Sequence, residues 1–543
     1  MKSVMNHNFG QVPLSSIEKS TFDRSHGYKT AFNEGKLIPF YVDEVLPGDT
    51  FRLNASIFAR MATQKVPVMD NIFLDTQYFF VPSRLIWKNF TKMMGERVNP
   101  QDSIDYLVPQ IDSGKNGFDE ESLADYFGIP VHVPHLKVNV LPFRAYQKIW
   151  DDWYRPEQIV NSFIQSESDL GDDTSTKNWN TLQDRFKRCD YFTSALPAPQ
   201  LGAGVTLPLG VSAPVTSRSA AGLEPETIYM GSTSQPGAHT LRVKTDGTLM
   251  LSGSNVEGPV EYKGTADGPS HTGLVADLTN ATAATINSLR TAFQIQRMLE
   301  TDARSGGCRY IEIILAHFKT VSPDGRLQRS EYLGGSTAYV NQHAVVQQSA
   351  SADTPQGNLA SYATCSDSNG FTKSFTEHGY VIGLVSVRCD LSYQRGLDKM
   401  WSRRGRYDFY WPTLAHLGEQ AVLNKEIFAQ GADIHVDPDD DTSPLVDDQA
   451  FGYQERYAEY RYHPSKITGK LNSNSNTPLD VWHLAQDFAD LPKLNGDFLK
   501  EDGPIERCIA VTDEPHFILD SYISCKCTRP LPVYSVPGLI DHL

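Results

Sequence analysis

The stretch that decides the fold reads Thr50-Phe51-Arg52-Leu53-Asn54-Ala55-Ser56-Ile57-Phe58-Ala59-Arg60. Apolar residues stand at every second position from Phe51 to Ala59, and mainly polar residues stand between them. This period of two is typical of a β-strand with one buried face. A similar run, residues 37–45, precedes it, and Leu46-Pro47-Gly48-Asp49 between the two runs is typical of a turn. The sequence therefore predicts two strands joined by a tight turn.

Further runs of the same kind recur along the chain, separated by long excursions. Strands are predicted at residues 71–81, 339–348, 379–389, 407–411 and 517–528, and helices at residues 84–94, 118–128 and 142–154. The first strands lie near the N-terminus and the last lies near the C-terminus. This arrangement predicts a mainly β fold, a single antiparallel jelly-roll (Greek-key) barrel with long helical and irregular loop insertions.

A change of composition divides the chain. Residues 201–285 are rich in Gly, Ser, Thr and Ala and poor in aromatic residues, so they are predicted to form an insertion with short exposed β structure. Asp246-Gly247 between two alternating runs, over residues 241–251, predicts a hairpin. An amphipathic helix is predicted from residue 286 to the glycines at 306 and 307. Residues 310–318 fit both a strand and a second helix, and the helix is favoured.

The domain organisation follows from these boundaries. Residues 1–36 are polar and are predicted to form an N-terminal arm that lies over other surface. Residues 37–200 and 286–543 are predicted to form one core with inserted loops and helices, and residues 201–285 the insertion.

Charge and cysteine content restrict the function. The chain of 543 residues has a net charge of −16, which on average repels phosphate backbones, so any contact with nucleic acid must be local. The 7 cysteines are scattered and odd in number, as expected of free thiols in a reducing compartment. No export signal and no apolar run long enough to span a bilayer is apparent, which predicts a soluble protein made in the cytoplasm without membrane insertion.

Motifs for catalysis or cofactor binding are mostly missing. The sequence contains no phosphate-binding loop, dinucleotide fingerprint, nucleophile elbow or zinc-protease motif, so neither a catalytic residue nor a cofactor is predicted. The acidic residues 437–448 could bind a cation, but Thr442 stands where a calcium loop needs glycine, and a solvated loop is favoured over a metal site. A jelly-roll carbohydrate-binding protein or glycosidase remains an alternative, because facing carboxylates cannot be recognised from sequence.

Two segments combine cations with aromatic residues. Cations that follow a phosphate backbone, with aromatic rings on which bases stack, are typical of single-stranded nucleic-acid binding. Arg, Tyr and Trp are also enriched in protein interfaces, and for any individual residue a contact between subunits is favoured over DNA. The candidate DNA-binding residues are Arg395, Lys399, Trp401, Arg403, Arg404, Arg406, Lys526 and Arg529.

Several longer motifs resemble one known family. They are residues 46–50 (LPGDT), 79–87 (FFVPSRLIW), 190–197 (DYFTSALP), 326–335 (RLQRSEYLGG) and 451–461 (FGYQERYAEYR). In this order they are similar to the major capsid protein of the Microviridae, the small isometric single-stranded DNA phages, and most of all to its gokushovirus branch. The resemblance implies a jelly-roll subunit, of which about 60 copies close a T=1 icosahedral shell around a circular single-stranded DNA genome.

The resemblance also implies partners and a location. Members of the branch carry an insertion that protrudes at the three-fold axes and is thought to meet a host surface receptor. Here it corresponds to residues 201–285, and Thr245, Asp246 and Gly247 are the candidate receptor residues. The family implies an internal scaffolding protein, a DNA pilot protein and a small basic DNA-associated protein, assembly in the bacterial host cytoplasm and residence in the virion. The net charge of −16 agrees with a separate basic protein that neutralises the genome.

Overall fold

The chain forms two compact units, Met1–Leu201 with Glu300–Leu543, and Gly202–Leu299. The computed structural model describes residues 18–205, 286–304, 310–321, 328–352, 355–438, 440 and 442–534, together with short strands at 215–217, 240–243, 249–253, 256–259 and 274–276. In this part of the chain, every helix is too short or too polar to cross a membrane.

The elements are numbered in chain order. The strands are β1 (Ser20–Asp23), β2 (His26–Phe32), β3 (Ile38–Val45), β4 (Thr50–Gln64), β5 (Ile72–Pro82), β6 (Gln110–Asp112), β7 (Lys137–Asn139), β8 (Val215–Ser217), β9 (Thr240–Val243), β10 (Leu249–Gly253), β11 (Val256–Pro259), β12 (Leu274–Ala276), β13 (Glu331–Tyr339), β14 (Asn341–Val346), β15 (Leu359–Ser374), β16 (Gly379–Cys389), β17 (Ser392–Tyr393), β18 (Glu419–Leu423), β19 (Ala450–Glu455), β20 (Ser465–Lys466) and β21 (Phe517–Arg529). The α-helices are α1 (Phe90–Met93), α2 (Leu123–Tyr126), α3 (Leu141–Trp153), α4 (Ile286–Arg304), α5 (Tyr310–Phe318), α6 (Asn424–Ile427), α7 (Gly496–Leu499) and α8 (Ile505–Cys508).

A six-stranded antiparallel sheet forms one half of the larger unit. Its order is β1-β21-β4-β15-β14, with β2 also paired to β21. In β4 the residues from Phe51 to Met61 alternate strictly between buried and exposed, as the sequence predicts. One face of this sheet is therefore apolar and the other is polar.

A four-stranded antiparallel sheet, in the order β13-β5-β16-β3, packs on the apolar face of the first. Rings from the two sheets meet between them: the Phe80 and Phe375 centroids are 4.7 Å apart, and those of Tyr78 and Phe371 are 5.4 Å apart. Nearly all residues of β5 and β16 are buried, because these central strands have apolar neighbours on both faces. The main core thus lies between the two sheets.

A helical layer covers the other face of the four-stranded sheet. Helix α3 has Pro142 in its first turn, where a missing N–H costs nothing, and it buries Tyr146, Ile149 and Trp150. The Tyr146 hydroxyl donates to the Leu37 carbonyl oxygen over 2.8 Å. These side chains form a second core with Phe79, Ile382 and their neighbours. The four-stranded sheet is therefore covered on both faces, by the six-stranded sheet on one side and by the helical layer on the other.

Most of the predicted elements are confirmed. The structure contains mainly antiparallel β-sheets and few helices, with β3, β4, β5, β14, β16 and β21 at the predicted places, as are α3, α4 and α5. The strand predicted at residues 407–411 is wrong, because short 3-10 turns at Arg406–Asp408 and Pro412–Leu414 occupy that region. The helices predicted at 84–94 and 118–128 shrink to single turns, α1 and α2.

The described part of the predicted N-terminal arm, residues 1–36, includes β1 and β2. These strands pair with β21 along nearly the whole length of that strand, from Ser20 opposite Arg529 to Phe32 opposite Phe517. Backbone hydrogen bonds therefore join this part of the arm to the six-stranded sheet.

The smaller unit, Gly202–Leu299, contains its own short strands. Strands β11, β10 and β9 form one antiparallel sheet, and β12 pairs with β8. The predicted hairpin is present, with Leu249 opposite Val243. The candidate receptor residues Thr245, Asp246 and Gly247, which follow β9 in sequence, lie outside the described residues.

Candidate assembly and genome-contact surface

The first candidate segment, residues 395–411, connects β17 to β18 through short turns. Three 3-10 turns, Lys399–Ser402, Arg406–Asp408 and Pro412–Leu414, replace regular structure in and just after it. The Asp408 carboxylate accepts hydrogen bonds from the backbone N–H groups of Gly405 and Arg404 over 2.7 and 2.8 Å. These bonds hold the pKa of Asp408 below its usual value and fix the turn. They also explain why no strand forms at residues 407–411.

Three of the predicted DNA-binding cations in this segment bind groups of their own chain. Arg403 pairs with Glu459 at 3.1 Å, Arg395 pairs with Asp487 at 3.1 Å, and the Lys399 ammonium donates to the Ala421 carbonyl oxygen over 2.8 Å. The Arg403 and Lys399 side chains are mostly buried. These cations therefore hold the segment against the elements behind it, and their charge is already neutralised.

The other candidates in the segment are exposed. Trp401 and Tyr407 each keep 68% of their surface accessible, and Arg404 and Arg406 also lie on the surface. The Arg406 guanidinium lies 4.9 Å from the centre of the Trp411 ring. We call the exposed residues Met400, Trp401, Tyr407, Phe409 and Tyr410 the aromatic patch. These five exposed residues lie within eleven positions of one segment, and grouped apolar surface is typical of a site of interaction.

A cavity of about 200 Å³ adjoins the aromatic patch. Its wall includes Tyr191, Phe192, Lys399, Arg403, Glu426 and Glu459. Tyr191 donates its hydroxyl to Glu426 over 2.9 Å, and burial together with that carboxylate raises the pKa of Tyr191 above its usual value. Because the cations of this cavity pair with its carboxylates, it suits an apolar or aromatic group better than a phosphate.

The remaining two candidates lie on β21 and contact different groups. The Arg529 guanidinium donates to Asp49 over 3.0 Å and to the Glu44 carbonyl oxygen over 2.6 Å, so it closes the β3–β4 turn. Lys526 is exposed on the six-stranded sheet, opposite Asp23 and Arg52 of the neighbouring strands. Arg529 thus has a structural role, whereas Lys526 is available to a partner.

Two of the acidic residues at 437–448, Asp440 and Asp447, serve as turn caps, and Asp448 pairs with Lys425 at 2.7 Å. Asp440 accepts from the backbone N–H of Thr442 over 2.9 Å, and Asp447 accepts from those of Gln430 and Gly431, each over 2.9 Å. Asp439 and Asp441 lie outside the described residues. Among the described residues, no three His, Cys, Asp or Glu side chains are grouped to hold a metal ion.

The acids that neutralise the cations could not be identified from sequence. Glu459 and Asp487 come from segments more than fifty positions downstream of their partners, Arg403 and Arg395. Their spacing follows no local period, so only the fold brings them together. The exposed side of β4, with Arg52, Phe58 and Arg60, also went unassigned, although its alternation is visible in the sequence.

The two packed antiparallel sheets and the exposed aromatic patch are typical of a structural protein that associates with other chains. Comparison with known proteins agrees. Residues 10–539 match the family described as Capsid protein (F protein). The chain belongs to this capsid protein family.

Individual relatives match along nearly the whole chain. Capsid protein VP1 of Bdellovibrio phage phiMH2K is 45% identical over 542 residues, covering 98% of this chain and 97% of that protein. Capsid protein VP1 of Chlamydia phage 1 is 43% identical, covering 99% and 98%, and that of Spiroplasma virus 4 is 36% identical, covering 98% and 97%. The resemblance to gokushovirus-like Microviridae is therefore confirmed. The protein is a structural component of a phage virion that assembles into a capsid, and it is not an enzyme.

Proposed function

We propose that this chain is the major subunit of a T=1 icosahedral shell of about 60 copies that encloses a circular single-stranded DNA genome. The relatives support a capsid role, and the strand order supports the subunit type. Assembly in the cytoplasm of a bacterial host is part of the same proposal.

The observation that carries the proposal is the order of strands in the two large sheets. If β1 and β2 count as one interrupted strand, the sheets consist in chain order of β1–β2, β3, β4, β5, β13, β15, β16 and β21, with β14 added at one edge. When these eight strands are numbered one to eight in chain order, the six-stranded sheet has the order 1-8-3-6 and the four-stranded sheet has the order 2-7-4-5. This is the order of a jelly roll, in which two Greek keys form a double sheet. We therefore assign the larger unit to the jelly-roll capsid class.

The exposed surfaces suit contacts between subunits. In the aromatic patch, Trp401 and Tyr407 are exposed to water in the single subunit, and a contact with a neighbouring subunit would bury them. Aromatic side chains beside arginine are typical anchors of protein interfaces. Arg404 and Arg406 border the patch. We assign the patch to the contacts that close the shell, while Arg404 and Arg406 remain candidates for genome contact.

Other partners belong to the proposal through the family. An internal scaffolding protein, a DNA pilot protein and a small basic DNA-associated protein would act with this chain, and the net charge of −16 supports the need for the basic one. The insertion at residues 201–285 would form the protrusion at the three-fold axis, with the loop at Thr245, Asp246 and Gly247 facing a host receptor. Exposed loops on a rigid scaffold commonly serve recognition.

The experiment replaces Trp401 and Arg404 together by alanine and measures the yield of closed particles by sedimentation and electron microscopy. We expect the yield to fall at least tenfold while the free subunit stays folded, because truncating an interface anchor costs about 2 kcal/mol or more. Replacing Leu107 and Lys115 by alanine is the control, since these exposed residues lie outside the patch. A full yield of DNA-filled particles from the first variant would contradict the assignment of the patch.

A further inference from the structure

In the described part of the chain, the outer face of the six-stranded sheet is exposed along β4 and β21. The alternation in β4 that buries Phe51 and Leu53 leaves Arg52, Phe58 and Arg60 exposed, and β21 follows the same pattern. The corresponding face of the four-stranded sheet lies under α3 and its neighbours. We call the exposed side of the six-stranded sheet the open sheet face.

Aromatic rings lie on the open sheet face where solvent reaches them. Phe58 keeps 48% of its surface accessible and Tyr522 keeps 58%. Phe58 stands opposite Asp520, so Tyr522, two residues further along β21, is its diagonal neighbour across the strand pair. Diagonal neighbours are about 7–8 Å apart, which is within reach of large aromatic side chains. A third ring, that of Tyr362, has the Arg60 guanidinium 6.0 Å from its centre.

The charge of the open sheet face is opposite to that of the chain. Its cations are Lys29, Arg52, Arg60 and Lys526, and its carboxylates are Asp23 and Asp520. Lys29 and Asp520 pair at 2.6 Å, and Asp23 lies opposite Lys526. In the described part of the chain, Arg52 and Arg60 have no carboxylate partner. The face is therefore locally cationic although the whole chain has a net charge of −16.

The residues between the rings and the cations are polar and uncharged. Asn54 and Ser56 of β4 lie opposite Gly370 and Ser368 of β15, and the Asn54 amide donates to the Ser368 hydroxyl over 3.3 Å. Short side chains keep the surface shallow, so an extended chain can lie across the strands. Hydroxyl and amide groups can bond to phosphate, sugar and base edges without selecting a sequence.

We propose that the open sheet face binds single-stranded DNA and turns toward the genome inside the shell. This inference rests on the proposed function and adds to it a particular surface. Bases stack on Phe58 and Tyr522, and phosphates lie against Arg52 and Arg60. Rings on an exposed sheet with interspersed cations are a recurrent platform for single strands. The cations of this face would attract DNA and an acidic protein segment alike. The exposed rings favour DNA, because unstacked bases stack on them.

The first test measures binding of the purified subunit to a fluorescent oligothymidylate of about 20 nucleotides at several salt concentrations. The variant R52Q/R60Q should bind at least tenfold more weakly. It should also lower the slope of log affinity against log salt by about 1.4, since each phosphate contact on a single strand contributes about 0.7. The control K115Q/K493Q changes the net charge equally at exposed positions outside the face and should bind like the wild type. Equal weakening by both variants would overturn the proposal.

The second test separates DNA from a protein partner. The variant F58L/Y522L keeps apolar side chains but removes the ring faces, so its affinity for the oligothymidylate should fall on the order of tenfold. A protein that docks on the face by apolar contact would tolerate leucine. Wild-type affinity of this variant for DNA would overturn the proposal.

A third test measures how much DNA assembled shells protect from nuclease. Shells of R52Q/R60Q should close normally but protect much less DNA from nuclease than wild-type shells do. Full protection would overturn the inference about the open sheet face and leave the proposed function standing. If wild-type protein formed no shell, the proposed function would fail, whereas the oligonucleotide measurements would still decide whether this face binds single strands.

Discussion

A single buried carboxylate, that of Asp75, joins three strands of the four-stranded sheet. It accepts hydrogen bonds from Arg185 over 2.6 Å, from Arg388 of β16 over 2.7 Å and from Thr337 of β13 over 2.6 Å. All these side chains but Thr337 are nearly buried. Two arginines removed from water bind this carboxylate, so its charge matters more than that of a surface carboxylate.

Replacing Asp75 by asparagine should lower the free energy of unfolding by about 3–5 kcal/mol, because it removes the carboxylate that both buried arginines bind. The exposed pair of Lys29 and Asp520 provides the control, and Asp520→Asn should cost about 1 kcal/mol or less. Urea unfolding of the purified subunits measures both. A loss for Asp75→Asn as small as that of the control would refute the role given to this cluster.

His516 gives the subunit a dependence on pH. Burial alone would lower its pKa, but the hydrogen bond and the charge of Glu34 outweigh burial, and the pKa of His516 rises above its usual 6.5. A histidine whose pKa is raised on folding contributes stability that is complete below pH 6.5 and is lost as the pH rises through the folded-state value.

The variant His516→Gln should therefore flatten the decline in melting temperature between about pH 6 and 8. Scanning calorimetry of the wild type, of this variant and of His132→Gln, which alters an exposed ring, gives the comparison. An unchanged slope in His516→Gln would show that the ion pair with Glu34 does not govern this pH range.

At the scale of elements, strands with large alternating apolar residues could be predicted and strands built from small residues could not. Strand β15 was missed because its buried positions include Ser361, Ala363 and Asn369, whose pattern resembles a polar loop. Strand β13 was missed because it contains Gly334-Gly335. Tertiary pairing with β4 and β5 fixes both as strands, and such pairing leaves little trace in local sequence.

Gly335 shows why β13 has this composition. A Cβ atom at this position would lie 2.1 Å from the Thr76 carbonyl oxygen of β5, so the two backbones approach too closely for any side chain. Gly335→Ala should destabilise the subunit by about 1–3 kcal/mol and loosen the edge of the sheet. Gly27→Ala in β2 is the control, since its Cβ would have only an ordinary contact of 3.8 Å. Hydrogen exchange of β13 amides and urea unfolding should separate the two variants, and equal behaviour would contradict the steric explanation.

In the candidate site, too, local sequence predicted some features, whereas others depend on the tertiary fold. The sequence singled out residues 395–411 from their composition, and the structure places Trp401, Arg404 and Arg406 of this segment on the surface. The sequence alone could not distinguish these three residues from Arg395, Lys399 and Arg403. The carboxylates and carbonyl oxygens that bind Arg395, Lys399 and Arg403 come from distant segments. Exposure depends on the whole fold, whereas composition is local.

At the scale of the whole molecule, long connections account for most of the chain outside the two sheets. The connection from β5 to β13 contains the helical layer and the unit Gly202–Leu299, and that from β16 to β21 contains the aromatic patch. Family motifs made the protein class predictable from sequence. Which sheet face stays bare was not predictable, because it depends on where these connections pack.

Deleting residues 201–285 should leave shell assembly intact and abolish infection, since nearly all of the insertion belongs to the compact unit Gly202–Leu299 and it is proposed to contact the host. Electron microscopy of the particles and plaque counts measure the two effects. An unfolded product, or infectious particles without the insertion, would contradict the role assigned to it.

The measurement that tests the central claim most directly is cryo-electron microscopy of particles formed by the full-length protein in a host cell that also supplies the viral DNA. The account predicts a closed T=1 shell of about 60 jelly-roll subunits, with nuclease-protected single-stranded DNA inside. Open sheets, tubes or dispersed monomers in place of closed particles would contradict it.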